Sequence, residues 1–181
     1  MDIMLDLETM GNGPNAAIVA IGAVIFDPYR AEPGPKFYQT IDLESSVKGG
    51  GIIDASTVIW WLKQDKIAIQ HLITGCESID TVLNLFGKWI AENITDDGVR
   101  IWGDGAAFDN VILASAYRRH NIPQPWSYWN DRCYRTMRAM YPGIKMQRTG
   151  TAHIALDDAI SQANHLIRIF NQLPETGVLM Y

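Results

Sequence analysis

The sequence has few cysteines and no long apolar run. Only Cys76 and Cys133 occur among 181 residues, and they do not form a CxxC pair. This usage gives no sign of a disulfide framework. We also find no pattern of a secretory leader and no apolar stretch of about 18 residues, the length that spans a bilayer. We therefore expect a soluble, cytoplasmic protein without membrane association.

Positive charge is also scarce. The chain has 15 Lys and Arg against 20 Asp and Glu, which gives a formal net charge of −5. Such a balance argues against a long basic surface that binds nucleic acid non-specifically. It remains compatible with a local basic patch, or with metal ions that bridge the protein to phosphates. Charge alone leaves the class of partner open.

The chain has no internal repeat, no low-complexity segment and no linker long enough to divide it. Hydrophobic residues make up 48% of it and charged residues 19%, which is the composition of one compact domain with a real core. Gly and Pro interrupt it only at 11–14, 28–35, 48–51 and 142–150. We predict a single domain over residues 1–181.

Strand patterns fill the first part of the chain. Residues 2–8, 16–27 and 36–42 are rich in β-branched and aromatic side chains and are separated by turn residues. The close succession of these segments predicts an antiparallel meander of three strands.

Helical patterns dominate from Ser56 onward. Residues 56–64 predict a helix with a Ser or Thr cap. Residues 78–94 predict a second helix, with one apolar face formed by positions 79, 82, 83, 86, 89 and 90.

Strands and helices then alternate to the end of the chain. Residues 99–105 predict a short strand, 106–120 a helix, 126–134 another candidate strand and 156–170 a closing helix. Three early antiparallel strands followed by this alternation predict an α/β fold, with a mixed sheet flanked by helices.

Two acids share one face of the first strand. In an extended strand, residues i and i+2 point the same way and lie about 6.6 Å apart, so Asp6 and Glu8 point together while Leu5 and Leu7 face the core. If this strand is central, repulsion and desolvation of the acids must be offset, and divalent cations with oxygen ligands would do so. If the strand lies at the sheet edge, the acids are simply solvated. The D-x-E pattern alone does not decide.

A further acid follows the strand predicted at 99–105. In "WGDGAAFDN", Gly103 and Gly105 would let the chain pass close to a ligand. Phe108 would anchor the helix start, so that Asp109 is held near the strand end. Alternatively, Asp109 is a surface acid stabilised by the helix dipole. The turn preference of aspartate is sufficient to explain Asp104.

A histidine precedes two adjacent acids in "HIALDDA", residues 153–159. If His153 is already helical, Asp157 at i+4 shares its face. If His153 instead ends the preceding loop and the helix starts at Ile154 or Ala155, Asp158 can be an anchored ligand and His153 can swing over the site. A third reading is an ordinary exposed histidine beside acids at a helix N-terminus.

Taken together and in this order, "LDLETMG", "WGDGAAFDN" and "HIALDDA" resemble the three motifs of the DEDDh 3′–5′ exonucleases. The resemblance runs from Asp6 to about Phe170. The segments "DLETMGNGPNAAIVAIGAVIFD" and "TVIWWLKQ" are also similar to a branch found in phages, prophages and some bacterial exoribonucleases. The family implies a ribonuclease-H-like fold and cleavage of nucleotides from 3′ ends with two divalent metal ions, Mg²⁺ or Mn²⁺.

The resemblance also implies a set of catalytic and metal-binding residues. Matched motif by motif, they are Asp6, Glu8, Asp109, His153 and Asp158. The five-residue offset from the histidine is the family's spacing, and it favours Asp158 over Asp157. The family chemistry then has Asp6, Glu8 and Asp158 holding one ion tightly. Asp6 shares a second ion with the substrate phosphate, Asp109 acts through coordinated waters, and His153 deprotonates the attacking water.

Substrate contacts are implied less directly. By resemblance, Thr9 and Met10 contact the terminal nucleotide, and Phe108 stacks on a base or sugar. Core packing is an equally good reading of Met10 and Phe108. The adjacent Trp60 and Trp61 point roughly 100° apart on a helix, so only one of them should be buried. We take Trp61 as the candidate that lines the substrate groove.

The second half of the chain is richer in arginine than the first. Basic residues there that could hold a strand backbone are Arg118, Arg119, Arg132, Arg135, Arg138, Lys145 and Arg148. For any single one of them, a solvated helix face is the alternative. Lys145 and Arg148 lie in the loop before His153, where a phosphate contact would couple substrate binding to loop closure.

We therefore expect a 3′–5′ exonuclease that releases nucleoside monophosphates from single-stranded or frayed 3′ ends of nucleic acid, with DNA slightly favoured over RNA. The alternatives are a 3′–5′ exoribonuclease, a phosphodiesterase for small nucleotides, and a non-catalytic nucleic-acid-binding module. The intact set of five residues argues against the module. Relatives are often dimers, so a homodimer is also considered, and the apolar tail "GVLMY" could dock on its own domain or on a second subunit.

Overall fold

The computed structural model describes residues 1–30, 32–95 and 98–173. Its centre is a five-stranded sheet with the strand order β3-β2-β1-β4-β5. The strands are β1 (Asp2–Thr9), β2 (Ile18–Phe26), β3 (Lys36–Thr40), β4 (Arg100–Gly103) and β5 (Asp131–Cys133). β1, β2 and β3 pair antiparallel, whereas β4 runs parallel to β1 and β5 parallel to β4. This confirms the predicted mixed sheet, and it places β1 at its centre.

Seven α-helices pack around the sheet in the described parts of the chain. They are α1 (Leu43–Lys48), α2 (Ala55–Trp61), α3 (Lys66–Ile73), α4 (Ile79–Asn93), α5 (Asp109–Arg119), α6 (Tyr134–Met140) and α7 (Ala155–Phe170). The predictions of α2, α4, α5 and α7 are confirmed, but α1, α3 and α6 were not predicted. Within the described ranges, no helix has the length and apolar character that crossing a membrane requires.

Three predicted element boundaries are wrong. The cap position of α2 is Asp54 rather than a Ser or Thr, and the Asp54 carboxylate instead accepts from the Asn12 N–H at 2.7 Å. Helix α5 begins at Asp109, because the chain turns at Gly105, whose φ of +117° excludes a helix there. Of residues 126–134, only Asp131–Cys133 form a strand, after a 3₁₀ turn at 128–130.

The two faces of β1 bury different elements. Leu5 and Leu7 pack with α4 and α5, whereas Met4 packs with α7. Asp6 shares the face of Met4 because side chains alternate along a strand. The central position of β1 rules out the simple solvated edge, so its acids lie between the sheet and α7.

Helix α7 rests directly on the sheet at Gly22. This residue pairs with Asp6 across β1 and β2, and a Cβ on it would lie only 2.2 Å from the carbonyl carbon of Ala155. Glycine is therefore required here for the first turn of α7 to lie against β2. That close approach brings Asp158, one turn into α7, over Asp6.

Candidate active site

Three acids from two distant parts of the chain meet beside the sheet. Asp6 and Glu8 project from β1 and Asp158 projects from α7, and one carboxylate oxygen of each lies within 4.8 Å of the others. Asp6 is half-buried, while Glu8 and Asp158 are buried. Three ionised carboxylates that are this close and this well shielded from solvent repel one another strongly, unless bound cations or protons neutralise their charge.

Asp109 approaches the same cluster from the start of α5. Its Oδ1 accepts a hydrogen bond from the backbone N–H of Leu7 at 3.2 Å. A Cβ on Gly103 would lie 2.9 Å from the Asp109 Cβ, so the glycine makes room for the helix start, whereas the sequence suggested room for a ligand. Asp109 lines the cavity that holds the other three acids.

Gln162 is a site residue that sequence reasoning missed. It lies one turn after Asp158 on α7, and its amide Nε2 donates to Asp6 Oδ1 at 2.7 Å. The i, i+4 spacing from Asp158 places both side chains on the same helix face, and this spacing was the signal that could have identified it.

Several oxygens in this cavity have no hydrogen-bond donor among the described residues. They are Glu8 Oε1, Asp109 Oδ2 and Gln162 Oε1, and all of them are buried. Buried acceptors are normally satisfied, and hard divalent cations prefer oxygen ligands of this kind. These oxygen atoms are therefore suitable ligands for Mg²⁺ or Mn²⁺.

Burial and mutual repulsion raise the pKa values of these acids. Burial, reinforced by the neighbouring Asp158 and Asp109, raises the pKa of Glu8 to about 8. Burial raises the pKa of Asp109 to about 7. Burial together with the charges of the other acids raises the pKa of Asp6 well above its usual range. The folded protein thus needs positive charge here to keep all of these acids ionised at neutral pH.

His153 lies in the loop immediately before α7, because the helix begins at Ala155. Its backbone has a φ of +64°, and its N–H donates to Asp158 Oδ2 at 2.9 Å. The imidazole lines the acidic cavity and meets the Trp60 ring edge to face, with 4.9 Å between ring centroids. Asp158, not Asp157, stands in the acidic cluster.

Asp157 holds the loop on which His153 lies. Its Oδ2 accepts from the Thr151 N–H at 2.7 Å, and its carboxylate packs against Gly150. One turn later, the Ser161 hydroxyl accepts from the Thr149 N–H at 2.9 Å. The loop that ends at His153 is thus fixed to α7 through its backbone.

A second cavity of about 430 Å³ opens beside Glu8. Its lining includes Thr9, Trp60, Trp61 and Phe108. Trp61 is only 5% exposed, and its indole N–H donates to the Thr9 carbonyl at 2.9 Å. Trp60 is 42% exposed. One tryptophan of the pair is buried as predicted, but the exposed one is Trp60, whereas Trp61 was selected from the sequence.

The other predicted substrate residues differ in their accessibility. Thr9 is buried, and its hydroxyl donates to the Gly11 carbonyl at 2.8 Å. Met10 is half-buried and packs against the cluster around Trp61. Phe108 packs against the main core and lines both cavities.

Three of the predicted basic residues reach the acidic cavity. Arg148 forms an ion pair with Asp158, while Arg135 and Arg138 each lie 3.4 Å from an Asp104 carboxylate oxygen. All three line the cavity together with the acids. Lys145 is exposed and is not among the residues that line it.

Comparison with solved structures identifies the fold. The nuclease domain of 3′hExo, a DEDDh family member bound to rAMP, superposes with a TM-score of 0.64 at 14% identity, covering 94% of this chain and 91% of that one. Pop2p of S. pombe, in a Mg²⁺- and Mn²⁺-bound form, gives 0.64 at 12% identity, with coverage of 94% and 83%. Exonuclease X in complex with 5′ overhanging duplex DNA gives 0.56 at 18% identity, with coverage of 94% and 92%. The predicted ribonuclease-H-like exonuclease fold is confirmed.

Sequence comparison then assigns the family. A sequence model of the 3′-5′ exoribonuclease Rv2179c-like domain matches residues 1–170. The chain belongs to this family and is a 3′–5′ exonuclease that acts on nucleic acid. The exodeoxyribonuclease of Enterobacteria phage T4 is 28% identical to it over 162 residues, which cover 75% of this chain and 69% of the phage protein.

Proposed function

We propose that the acidic cluster binds two divalent metal ions, Mg²⁺ or Mn²⁺, and that the protein hydrolyses the last phosphodiester bond at a 3′ end to release nucleoside monophosphates. The observation that carries this proposal is the approach of Asp6, Glu8 and Asp158 oxygens to within 4.8 Å of one another in a buried site. Such a cluster is unfavourable for folding unless cations compensate it.

Asp6, Glu8 and Asp158 are the proposed direct ligands. Asp109 is proposed to act through waters, because the Leu7 N–H holds its Oδ1 and it stands outside the group of three acids found within the described ranges. When bound, two ions stabilise the attacking and departing oxygens of an in-line displacement and neutralise charge on the phosphate.

His153 is the proposed general base. Histidine most often takes this role in hydrolysis near neutral pH, and the imidazole stands in the cavity of the acids. The Asp158 carboxylate accepts from its backbone N–H, so the histidine is placed by the same residue that is proposed as a metal ligand. The Trp60 ring restricts its swing from the other side.

The terminal nucleotide is proposed to enter the cavity beside Glu8. Trp60 offers the exposed ring for stacking on a base, and Phe108 lies where the two cavities join. Thr9 and Met10 are retained as proposed contacts, with Thr9 offering mainly its backbone because its hydroxyl is already bonded. Trp61 is proposed to shape the wall of the cavity.

Arg148 is proposed to contact a substrate phosphate. Its guanidinium lies in the acidic cavity next to Asp158, and a phosphate is a stronger bidentate partner for arginine than a carboxylate already engaged by a metal.

Single-stranded or frayed DNA is the proposed substrate, with RNA as the second candidate. The phage T4 relative is an exodeoxyribonuclease, whereas the family description names an exoribonuclease.

We further propose that the chain works as one exonuclease domain, since the family match spans residues 1–170. The tail "GVLMY" lies outside the described residues, so a homodimer stays a proposal.

Digestion of matched, 5′-end-labelled DNA and RNA oligonucleotides, single- and double-stranded, tests the proposal. Each is incubated with Mg²⁺, with Mn²⁺ and with EDTA, and Asp158→Asn serves as the inactive control. We expect a ladder that shortens from the 3′ end only when a metal is present, and faster on DNA. Binding without cleavage would instead indicate a non-catalytic module, and cleavage of dinucleotides alone would indicate a small-nucleotide phosphodiesterase.

A further inference from the structure

Gln162 stands inside the acidic cavity, yet the mechanism above gives it no role. Its side chain projects from α7 one turn beyond Asp158, and it is only 6% exposed. Its Nε2 donates to Asp6 Oδ1 at 2.7 Å. Asp6 is one of the three acids that would hold the metal, so this amide touches a carboxylate on which the proposed site depends.

The orientation of the amide follows from its partner. When a cation is bound, Asp6 is ionised and can only accept, so the NH₂ group faces Asp6 and the carbonyl oxygen points away from it. That oxygen, Gln162 Oε1, is buried and has no donor within the described ranges. A buried amide oxygen without a donor is unfavourable, and such atoms are rare in folded proteins.

The basic side chains of the cavity face other partners. Arg148 is paired with Asp158, and Arg135 and Arg138 face Asp104. The hydrogen-bond donor for Gln162 Oε1 is therefore best supplied by a hydrated metal ion bound in the cavity. Mg²⁺ usually keeps several of its waters when carboxylates bind it, and such waters are strong hydrogen-bond donors.

We propose that Gln162 is a positioning residue of the metal centre. Its N–H holds Asp6 Oδ1 in place, and its Oε1 accepts a hydrogen bond from a water in the coordination shell of the ion bound by Asp6. The inference rests on the proposed metal site and adds a residue that contacts the ion through one of its bound waters. Groups that hydrogen-bond to ligands from behind typically change metal affinity or activity by about 10- to 100-fold when removed.

The test is a calorimetric titration of the full chain with Mg²⁺, comparing the wild type with Gln162→Met. Methionine keeps the length and volume of the side chain and removes both polar atoms. We expect a Kd for Mg²⁺ about 10-fold weaker or more, with kcat lowered and the KM for an oligonucleotide changed by less than about 3-fold. Gln172→Met, an exposed position just beyond α7, is the matched control and should bind Mg²⁺ like the wild type.

Each outcome is informative. A wild-type Kd in a folded Gln162→Met variant, whatever its melting temperature in EDTA, would show a purely structural role and overturn the inference while leaving the proposed function intact. Absence of Mg²⁺ binding by the wild type would overturn both. If Gln162→Met does not fold, Gln162→Asn, which keeps the amide but withdraws it by one methylene, permits the same comparison with the same expected loss of affinity.

Discussion

Asp157 and Asp158 are neighbours in the chain but serve different structures. Asp158 points into the acidic cluster, while Asp157 binds the backbone of the loop that carries His153. The two carboxylates leave the first turn of α7 about 100° apart, which is enough to direct one into the site and the other onto the loop.

Replacing each of these acids by alanine should therefore give different losses. Asp158→Ala should abolish Mg²⁺ binding. Asp157→Ala should leave the Mg²⁺ Kd within about 3-fold of the wild type but lower kcat, because His153 loses the support of its loop. The lost hydrogen bond to a charged group should reduce the free energy of unfolding by about 1.5–3 kcal/mol. Calorimetry, steady-state kinetics and urea unfolding measure the three quantities, and loss of metal binding in Asp157→Ala would reverse the assignment.

His153→Ala should reduce turnover by about 10²-fold or more, because general-base catalysis contributes roughly that much. Metal binding should be retained, since His153 bonds to Asp158 through its backbone N–H and alanine keeps that group. Single-turnover cleavage of a labelled oligonucleotide measures the rate, and Mg²⁺ titration is the control. Turnover near that of the wild type would exclude His153 as the base.

At the scale of elements, α2 places its two tryptophans in different surroundings. Trp61 bonds to the end of β1 through its indole N–H, which fixes the rotation of the helix and leaves Trp60 exposed beside the cavity.

Trp60→Ala and Trp61→Phe should separate these roles. Loss of base stacking costs about 1–3 kcal/mol, so Trp60→Ala should raise KM about 10-fold with little change in thermal stability. Trp61→Phe leaves the Thr9 carbonyl without its donor and should destabilise the fold by about 1–3 kcal/mol. Melting curves and KM values measured on the same preparations test both expectations. An unchanged KM in Trp60→Ala would mean that the nucleobase of the substrate does not stack on Trp60.

The elements that could be predicted from sequence have a strong local signal. The apolar faces of α4 and α7 repeat with the helical period. β1 and β2 are buried along almost their whole length and show no alternation, so the three early strands were recognised instead from their β-branched and aromatic residues and the turn residues between them. Helices α1, α3 and α6 have only six to eight residues, which is too short for a period of 3.6 to be distinguished. Helix α2, with seven residues, was predicted from a start signal and not from its periodicity.

The site was predictable where local geometry decides and not where packing decides. The i, i+2 spacing in a strand placed Asp6 with Glu8, whereas Asp158 was selected over Asp157 only by resemblance to the spacing of the family motif. The choice between Trp60 and Trp61 depended on the rotation of α2, which is set by a hydrogen bond to a residue 52 positions away. The i, i+4 spacing from Asp158 could have placed Gln162 on the helix face that carries the site, but its contact with Asp6 spans 156 positions and depends on packing.

At the scale of the whole molecule, the acids make stability depend on pH and metal. The folded-state pKa values of Glu8 and Asp109 are raised to about 8 and about 7. Between the ordinary carboxyl pKa of about 4 and these raised values, the folded protein therefore binds more protons than the unfolded chain. The free energy of unfolding of the metal-free protein should therefore fall as the pH rises from about 4 to 8.

Mg²⁺ should offset this loss of free energy of unfolding, and its effect should grow with pH because the acids that bind it lose their protons. At about 100 times its Kd, a ligand adds about 2.7 kcal/mol, which for a chain of this size raises Tm by about 5 °C or more. Thermal melts at pH 6 and pH 8, in EDTA and in Mg²⁺, should show the larger gain at pH 8. An equal gain at both pH values would mean that these acids do not govern metal binding.

The contact of α7 with Gly22 has a consequence for the way the enzyme is made. Asp6 and Glu8 lie about 150 residues before Asp158 in the chain, and the helix that carries Asp158 must pack on the sheet before the cluster exists. A chain in which α7 has not yet docked on the sheet therefore lacks the acidic cluster, and the site forms only when the helix and the sheet are packed together.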